Sequence, residues 1–256
     1  MNNIYLIGIG TGNPDHLTLE AKNLLETSDL ILLPNKGSEK SDLLDLRRFI
    51  CKQISKKSSL SIREFSMPIR DETNKNYLSR VDQWHKEIAT CWSNAIKEFR
   101  RQEKVLNLNI ALLIWGDPSL YDSSIKIFHK YNEQEKNSCL KVVPGITSLQ
   151  ALAAAHKITL NSVGKPFHVT TGRMLRQFGW PNETETVAVL LDEKCSFNLV
   201  KKNNLRIWWG AYLGMDKEIL LCGNVSEIGK KIANTRLTAK QKYGWIMDTY
   251  ILKFQP

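Results

Sequence analysis

Three short apolar runs that each break off in a glycine turn constrain this chain more than any other feature. Residues 4–9 run into Gly8, Gly10 and Gly12, residues 109–114 into Trp115-Gly116-Asp117-Pro118, and residues 141–143 into Pro144 and Gly145. Apolar runs bounded by such turns read as buried strands. Helical spacing lies between them. Leu17, Ala21, Leu24 and Leu25 share one face, and Leu43, Leu46, Ile50 and Ile54 repeat behind Ser41, which can cap them. Tyr77, Val81, Trp84, Ile88, Cys91, Ala95 and Phe99 mark one long amphipathic helix with Trp84 in the core. Residues 29–34 add another strand, and a helix is expected over about 147–155. The strands lack the in-and-out alternation of a half-exposed sheet. The expected fold class is therefore α/β, with a mostly parallel sheet covered on both faces.

Beyond Asn161 the stretch NSVGKP reads as a linker, which divides the chain into expected domains 1–162 and 163–256. The second half is richer in strand. Strands are expected from Phe167 onward and over residues 187–191, 206–213, 218–221 and 245–254, with one helix over about 225–241.

Composition narrows the function classes. No apolar run approaches the roughly 20 residues that span a bilayer, and the N-terminus lacks the basic leader and cleavage site of a signal peptide. A soluble, cytoplasmic protein is expected. Cys51, Cys91, Cys139, Cys195 and Cys222 are scattered and never spaced as C-x-x-C, and the five histidines show no paired spacing. Neither a disulfide framework nor a metal site is expected. A net charge of +10 favours an anionic partner, and nucleic acid, acidic lipid and a polycarboxylate substrate all satisfy it. No block of five or six like charges occurs, so a folded basic cleft fits better than an unstructured arm.

The loop from Gly8 to Asp15 invites a dinucleotide reading, which fails on two residues. Asn13 holds the place of the third glycine, and the second strand ends in Leu33 and Pro34 without an acid for a ribose. What GIGTGNPDHLTL, LLIWGDPSLY and VVPGITSLQALAAA do resemble, in that order, is the tetrapyrrole methylase family. Thr11 and Asn13 stand where that family usually carries Pro and Asp. The strings NKGSEKSDLLDLRR, WGDPSLYDS, IWWGAYLG and KYGWIMDTYIL extend the likeness over nearly the whole chain. They resemble a member that methylates precorrin-5 at C1 with loss of acetate.

The resemblance implies two α/β domains, the second with a mixed sheet, a homodimer, and S-adenosylmethionine in a cleft between the domains. It implies that Thr11, Trp115, Gly116, Asp117 and Leu120 contact the cofactor, with Thr147 and Ser148 on its other side and backbone near Leu191 and Leu213 completing the contact. Read without the resemblance, Asp117 is a turn residue before Pro118 and Thr147 a helix cap. Lys36, Lys40, Arg47 and Arg48 are expected to hold substrate carboxylates, as arginine does with paired hydrogen bonds, and Glu39 between them is expected as a further substrate contact. A solvated helix face is the alternative for each. Glu39, Tyr121, Asp122 and Asp248 are the polar candidates for deacetylation. Asp122 is chosen, although an N-cap role suits it equally. No metal, nucleic acid or membrane is expected to take part. Methylation of another precorrin carbon, methylation of RNA or protein, and a non-catalytic tetrapyrrole carrier remain as alternatives.

Overall fold

The computed structural model describes residues 1–35, 41–54, 60–70, 73, 76–200 and 203–254. Two compact units result, Met1–Ile146 and Thr147–Pro256. The linker expected at 161–166 follows the helix with which the second unit opens.

The first unit runs β1 (Asn2–Gly8), α1 (Leu19–Thr27), β2 (Leu30–Asn35), α2 (Ser41–Ile54), β3 (Ser61–Ser66), α3 (Tyr77–Glu103), β4 (Asn109–Ile114), α4 (Ser124–Glu135) and β5 (Ser138–Val143). Its five strands lie in the order β3-β2-β4-β1-β5, every pair parallel. Ile4, Leu6, Leu30, Leu32, Ile110 and Leu112 enter a core with Ile88, Trp92 and Ile96 of α3 and Phe128 and Tyr131 of α4. Their sequence neighbours Ile7, Ile31, Leu33, Ala111 and Leu113 enter the opposite core, with Ala21 and Leu25 of α1 and Ile50 and Cys51 of α2. Both faces are dry, which is why the strands read as unbroken apolar runs. Each fully buried Leu or Ile contributes about 1.5–3 kcal/mol to holding the layers together.

Helix α3 runs to Glu103, four residues past the expected Phe99, and stops where Lys104 turns left-handed at φ 54°. Trp84 is half-buried against that core, its indole donating to the Pro68 carbonyl at 2.8 Å. Two elements of this unit carried no clear sequence signal. Edge strand β3 (SIREFS) buries only Phe65, and α4 (SIKIFHKYNEQE) presents a short apolar stripe of Ile127, Phe128 and Tyr131.

The second unit opens with α5 (Ser148–His156) and continues β6 (His168–Thr171), α6 (Gly172–Phe178), β7 (Thr186–Leu190), β8 (Leu205–Ala211), β9 (Ile219–Asn224), α7 (Val225–Tyr243) and β10 (Asp248–Phe254). The order β6-β7-β10-β8-β9 has β6 parallel to β7 and every other pair antiparallel. The sheet is mixed, as expected. Strands β7, β8 and β10 are shorter than the runs 187–191, 206–213 and 245–254 at one end, because Leu191 and Tyr212 turn left-handed and Trp245 precedes the β10 ladder. Among the described residues no helix is long and apolar enough to cross a membrane.

Candidate functional site

The three glycine turns that the sequence spaces far apart meet as one knot at the carboxyl ends of β1, β4 and β5. Gly10 and Gly116 exchange backbone hydrogen bonds, Gly116 N–H to Gly10 O at 2.7 Å and Gly10 N–H to Gly116 O at 3.3 Å. A Cβ on Gly8 would stand 2.7 Å from Gly145 N and 2.8 Å from Gly116 O. One on Gly145 would stand 2.8 Å from Gly8 C and Cα, and closer still to Gly116 O. Only glycine permits this approach. The space a side chain would fill is taken by neighbouring backbone.

Asp117 ties the knot. One carboxylate oxygen accepts from Gly145 N–H at 2.8 Å, and the other accepts from Ser119 N–H at 2.7 Å and from the Ser119 hydroxyl. Burial raises the carboxyl pKa, but the bonds from Ser119 and Gly145 outweigh it and leave the group below the usual aspartate value. The turn role read from the sequence is therefore real. It links the second motif to the third.

Behind the knot, Arg47 is neither on a solvated face nor held out for a carboxylate. It is 7% exposed, donates from Nε to the Leu113 carbonyl at 3.3 Å, and lies 5.0 Å from the Trp115 ring centroid. Leu44, Arg47, Cys51 and Ile54 fall on one buried stripe of α2, which is how an arginine comes to lie inside. Burial pushes its pKa down to about 10, with the field of Asp122 opposing, so it stays charged at neutral pH. Trp115 Nε1 is itself buried and has no acceptor among the described residues. Arg48 is turned outward and bonded to Glu64 and Asp45. Lys36, Glu39 and Lys40 lie outside the described residues.

Asp122 is exposed and accepts from Ser124 N–H at 2.6 Å, one residue before the cap position of α4. Asp248 is a different case. It lies in the second unit, accepts from Trp209 Nε1 and Arg236 Nε at 3.0 Å each, and is raised by burial despite Arg236.

Thr11 is 9% exposed, and its hydroxyl lies 3.3 Å from His16 Nδ1, a partner the motif reading did not include. Asn13 accepts from Asp15 N–H at 2.9 Å and caps the short turn Pro14–His16. Its side-chain oxygen does what an aspartate carboxylate there would do. Leu120 is half-buried beyond the turn.

In the second unit Thr147 caps α5. Its hydroxyl accepts from Leu149 N–H at 3.2 Å, and Gln150 Oε1 accepts from Thr147 N–H at 3.1 Å, the reciprocal capping box. Ser148 is the first helical residue, half-buried. Thr147→Ala is expected to lower stability by about 1 kcal/mol, read as a fall in the urea midpoint at constant slope. An unchanged midpoint would mean that the box carries no stability.

The other second-unit candidates sit at two strained turns. Leu191 directly follows β7 at φ 53°, and Tyr212 directly follows β8 at φ 52° and precedes Leu213. A bulky residue keeps a left-handed backbone only where its surroundings over-determine it, and such positions cluster at functional sites. Here both are over-determined. Asp192 anchors the first by accepting from Ser196 N–H at 2.6 Å, Tyr250 Oη at 2.7 Å and Arg176 Nη1 at 2.9 Å. Tyr212 anchors the second through its buried phenol, which donates to the Trp245 carbonyl at 2.6 Å. Leu191 is 65% exposed, whereas Leu213 is 4% exposed. Neither strain was legible in the sequence, since nothing local distinguishes these residues from strand.

Comparison with known proteins follows the same lines. Residues 3–229 match the family described as Tetrapyrrole (Corrin/Porphyrin) Methylases. A precorrin-6A synthase (deacetylating) from Sinorhizobium sp. is 42% identical over 255 residues, covering 99% of this chain and 95% of that protein. The crystal structure of a cobalamin synthesis related protein (CobF) from Corynebacterium diphtheriae superposes with a TM-score of 0.81 at 36% identity, covering 99% of this chain and 98% of the other. A uroporphyrin-III C-methyl transferase from Thermus thermophilus, complexed with S-adenyl homocysteine, shares the fold at a TM-score of 0.56 and 17% identity, over 98% of this chain and 92% of its own. With likeness held from end to end and the three motif turns joined in one knot, the chain belongs to the tetrapyrrole methylase family.

Proposed function

We propose that the chain transfers the methyl group of S-adenosylmethionine to C1 of precorrin-5 and releases acetate, giving precorrin-6A. The observation that carries this reading is the end-to-end likeness to a deacetylating precorrin-6A synthase. A methyl on a sulfonium is already activated, and that is the chemistry the cofactor supplies when bound. The chain's residues have to position the reactants, which is worth at most roughly 7–11 kcal/mol of barrier.

Thr11, Trp115, Gly116, Asp117 and Leu120 are the cofactor contacts proposed for the first unit, and Thr147, Ser148, Leu191 and Leu213 those for the second. Two observations support the fit. Among the described residues the buried Trp115 indole N–H has no acceptor, as at sites whose polar complement a bound group completes. Leu191 holds an exposed apolar side chain on a strained backbone, the kind of surface that takes an apolar ligand face beside main-chain polar groups. Asp117 acts through the turn it fixes, because its hydrogen bonds go to Gly145 and Ser119.

Substrate acetate and propionate groups are assigned to Lys36 and Lys40, with Glu39 beside them as a further substrate contact. Arg47 adds its positive field from beneath Trp115. Asp122, exposed just beyond the second motif, is the proposed base that takes the proton of the attacking water in deacetylation. A homodimer in the cytoplasm completes the reading.

Product analysis tests it. Incubation with precorrin-5 and S-adenosylmethionine is expected to yield a product carrying one added methyl, with acetate released in equal amount. Methyl gain without acetate would move the assignment to another precorrin carbon. Methyl transfer to RNA or protein would overturn it. Calorimetry is expected to show micromolar or tighter S-adenosylhomocysteine binding, and a chain that binds none would be a carrier.

A further inference from the structure

The turn that joins β8 to β9 holds a lysine inside a ring of aromatic faces. Lys217 Nζ lies 4.9 Å from the Tyr212 ring centroid, 4.6 Å from that of Tyr243 and 4.4 Å from that of Trp245. The rings brace one another edge-to-face: Tyr212 and Tyr243 at 5.3 Å and 75°, Tyr212 and Trp245 at 5.0 Å and 82°. Among the described residues no carboxylate lies within ion-pair distance of Lys217. Its attraction to the three ring faces is what fixes the ammonium, and desolvation strengthens such contacts.

The rest of the turn is tied at Tyr212 and at Glu218. Tyr212 is fully buried and left-handed at φ 52°. Its N–H donates to the Met247 carbonyl at 3.0 Å, and its carbonyl accepts from Met215 N–H at 3.0 Å. Glu218 Oε2 accepts from Gly214 N–H at 2.7 Å and closes the turn from the other side. Burial pushes the Tyr212 phenol up to about 12, so it remains a donor to the Trp245 carbonyl at any physiological pH. Lys217 stands near the far end of this turn, and its head returns to the ring at the near end. The side chain spans the loop and holds its two ends together.

We propose that Lys217 and its cage of Tyr212, Tyr243 and Trp245 form a latch that holds the turn 212–218 in the shape that presents Leu213, making Lys217 a positioning residue for cofactor affinity. The assignment to affinity rests on the cofactor reading above. The latch itself rests only on the geometry of the second unit. Methyl transfer itself needs no group from this turn, so the latch acts on binding and leaves the chemical step alone.

Lys217→Met keeps the length and apolar stem and removes the charge, whereas Lys217→Arg keeps a cation that stacks on aromatic faces. In the full-length, ligand-free chain, amide exchange at Gly214 and Met215 is expected to speed up about fivefold to twentyfold in Lys217→Met, the span that loss of a partly desolvated cation–π contact gives. It should return toward wild type in Lys217→Arg. Unchanged exchange in Lys217→Met would overturn the latch whatever the cofactor does. With S-adenosylmethionine, the KM of Lys217→Met is expected to rise by a similar factor at a kcat within about twofold of wild type, and affinity for S-adenosylhomocysteine should fall in parallel. Faster exchange with wild-type affinity would overturn the link to the cofactor. A wild-type chain that binds no S-adenosylhomocysteine would overturn that link together with the cofactor reading, and the exchange rates would still decide the latch.

Discussion

Gly145→Ala is expected to be the most damaging single methyl that can be added to the first unit. The new Cβ meets backbone on every side: Gly8 C and Cα at 2.8 Å and the Gly116 carbonyl oxygen closer still. A flexible side chain could swing away, but these atoms belong to the main chain at the ends of β1 and β4, adjacent parallel strands, and move only if the strands do. Overpacking a rigid site costs about 1–3 kcal/mol and sometimes more, and a collision with two neighbouring main chains belongs at the upper end. At about 3 kcal/mol the melting temperature falls by roughly 6–12 °C for a chain of this size. Affinity for S-adenosylhomocysteine should fall as well, because the same turns carry Gly116 and Asp117. Gly164→Ala is the control. It sits at φ +69° with nothing within 4 Å, so it reports backbone strain without collision, about 1–2 kcal/mol. A Gly145→Ala chain that melts within a degree or two of wild type would show that the turns are not locked together.

Asp117→Asn carries the second large effect, and it acts through hydrogen-bond polarity at nearly constant volume. The carboxylate accepts from Gly145 on one oxygen and from Ser119 on the other. Asparagine offers one acceptor, and its amide must face a donor at one of the two places. A charge-assisted bond of this kind contributes about 1.5–3 kcal/mol. The residue is only half-buried, so about 2 kcal/mol is expected, which corresponds to roughly thirtyfold weaker S-adenosylhomocysteine binding if the turn presents the cofactor contacts. The pH dependence has a definite sign. Hydrogen bonding holds the folded carboxyl below its unfolded value of about 3.9. The stabilisation is therefore complete above that value and is lost as pH falls through the lower folded value. Thermal melts from about pH 5 downward should show wild type losing this contribution and Asp117→Asn having none to lose. Parallel acid profiles for the two chains would remove Asp117 from the account of the knot.

Much of this molecule could be read before any coordinates. Runs such as residues 109–114, apolar on both faces, dictated a covered parallel sheet, and the glycines placed its turns correctly. Thr147 read as a local cap because capping is a matter of the next few residues. Helices α4 and α6 and strand β3 escaped notice: α4 has a short apolar stripe, α6 is seven residues long and buries only Gly172 and Leu175 where one helix at 225–241 was expected, and β3, at the sheet edge, buries a single side chain. Arg47 was misread for a related reason. The expected stripe through Leu43, Leu46, Ile50 and Ile54 left it outside, whereas the buried face keeps Ile50 and Ile54 but takes Leu44, Arg47 and Cys51 in place of Leu43 and Leu46. Spacing of three and four admits both faces, and only packing against β4 chooses between them.

What the sequence by itself determined, then, was the kind of strand, the positions of the turns and the family to which their order belongs. Local preferences and apolar periodicity act within a few residues, and those are written in the chain. What the tertiary structure alone decided was which turns touch, where the arginine lies, and which bulky residues bear left-handed strain. Gly8 and Gly145 are brought into contact by strand order, Arg47 and Trp115 by helix packing, and Lys217 and Tyr243 by a loop folded onto a helix end. Each of these pairs is far closer in space than along the chain, and no local rule reaches across that distance.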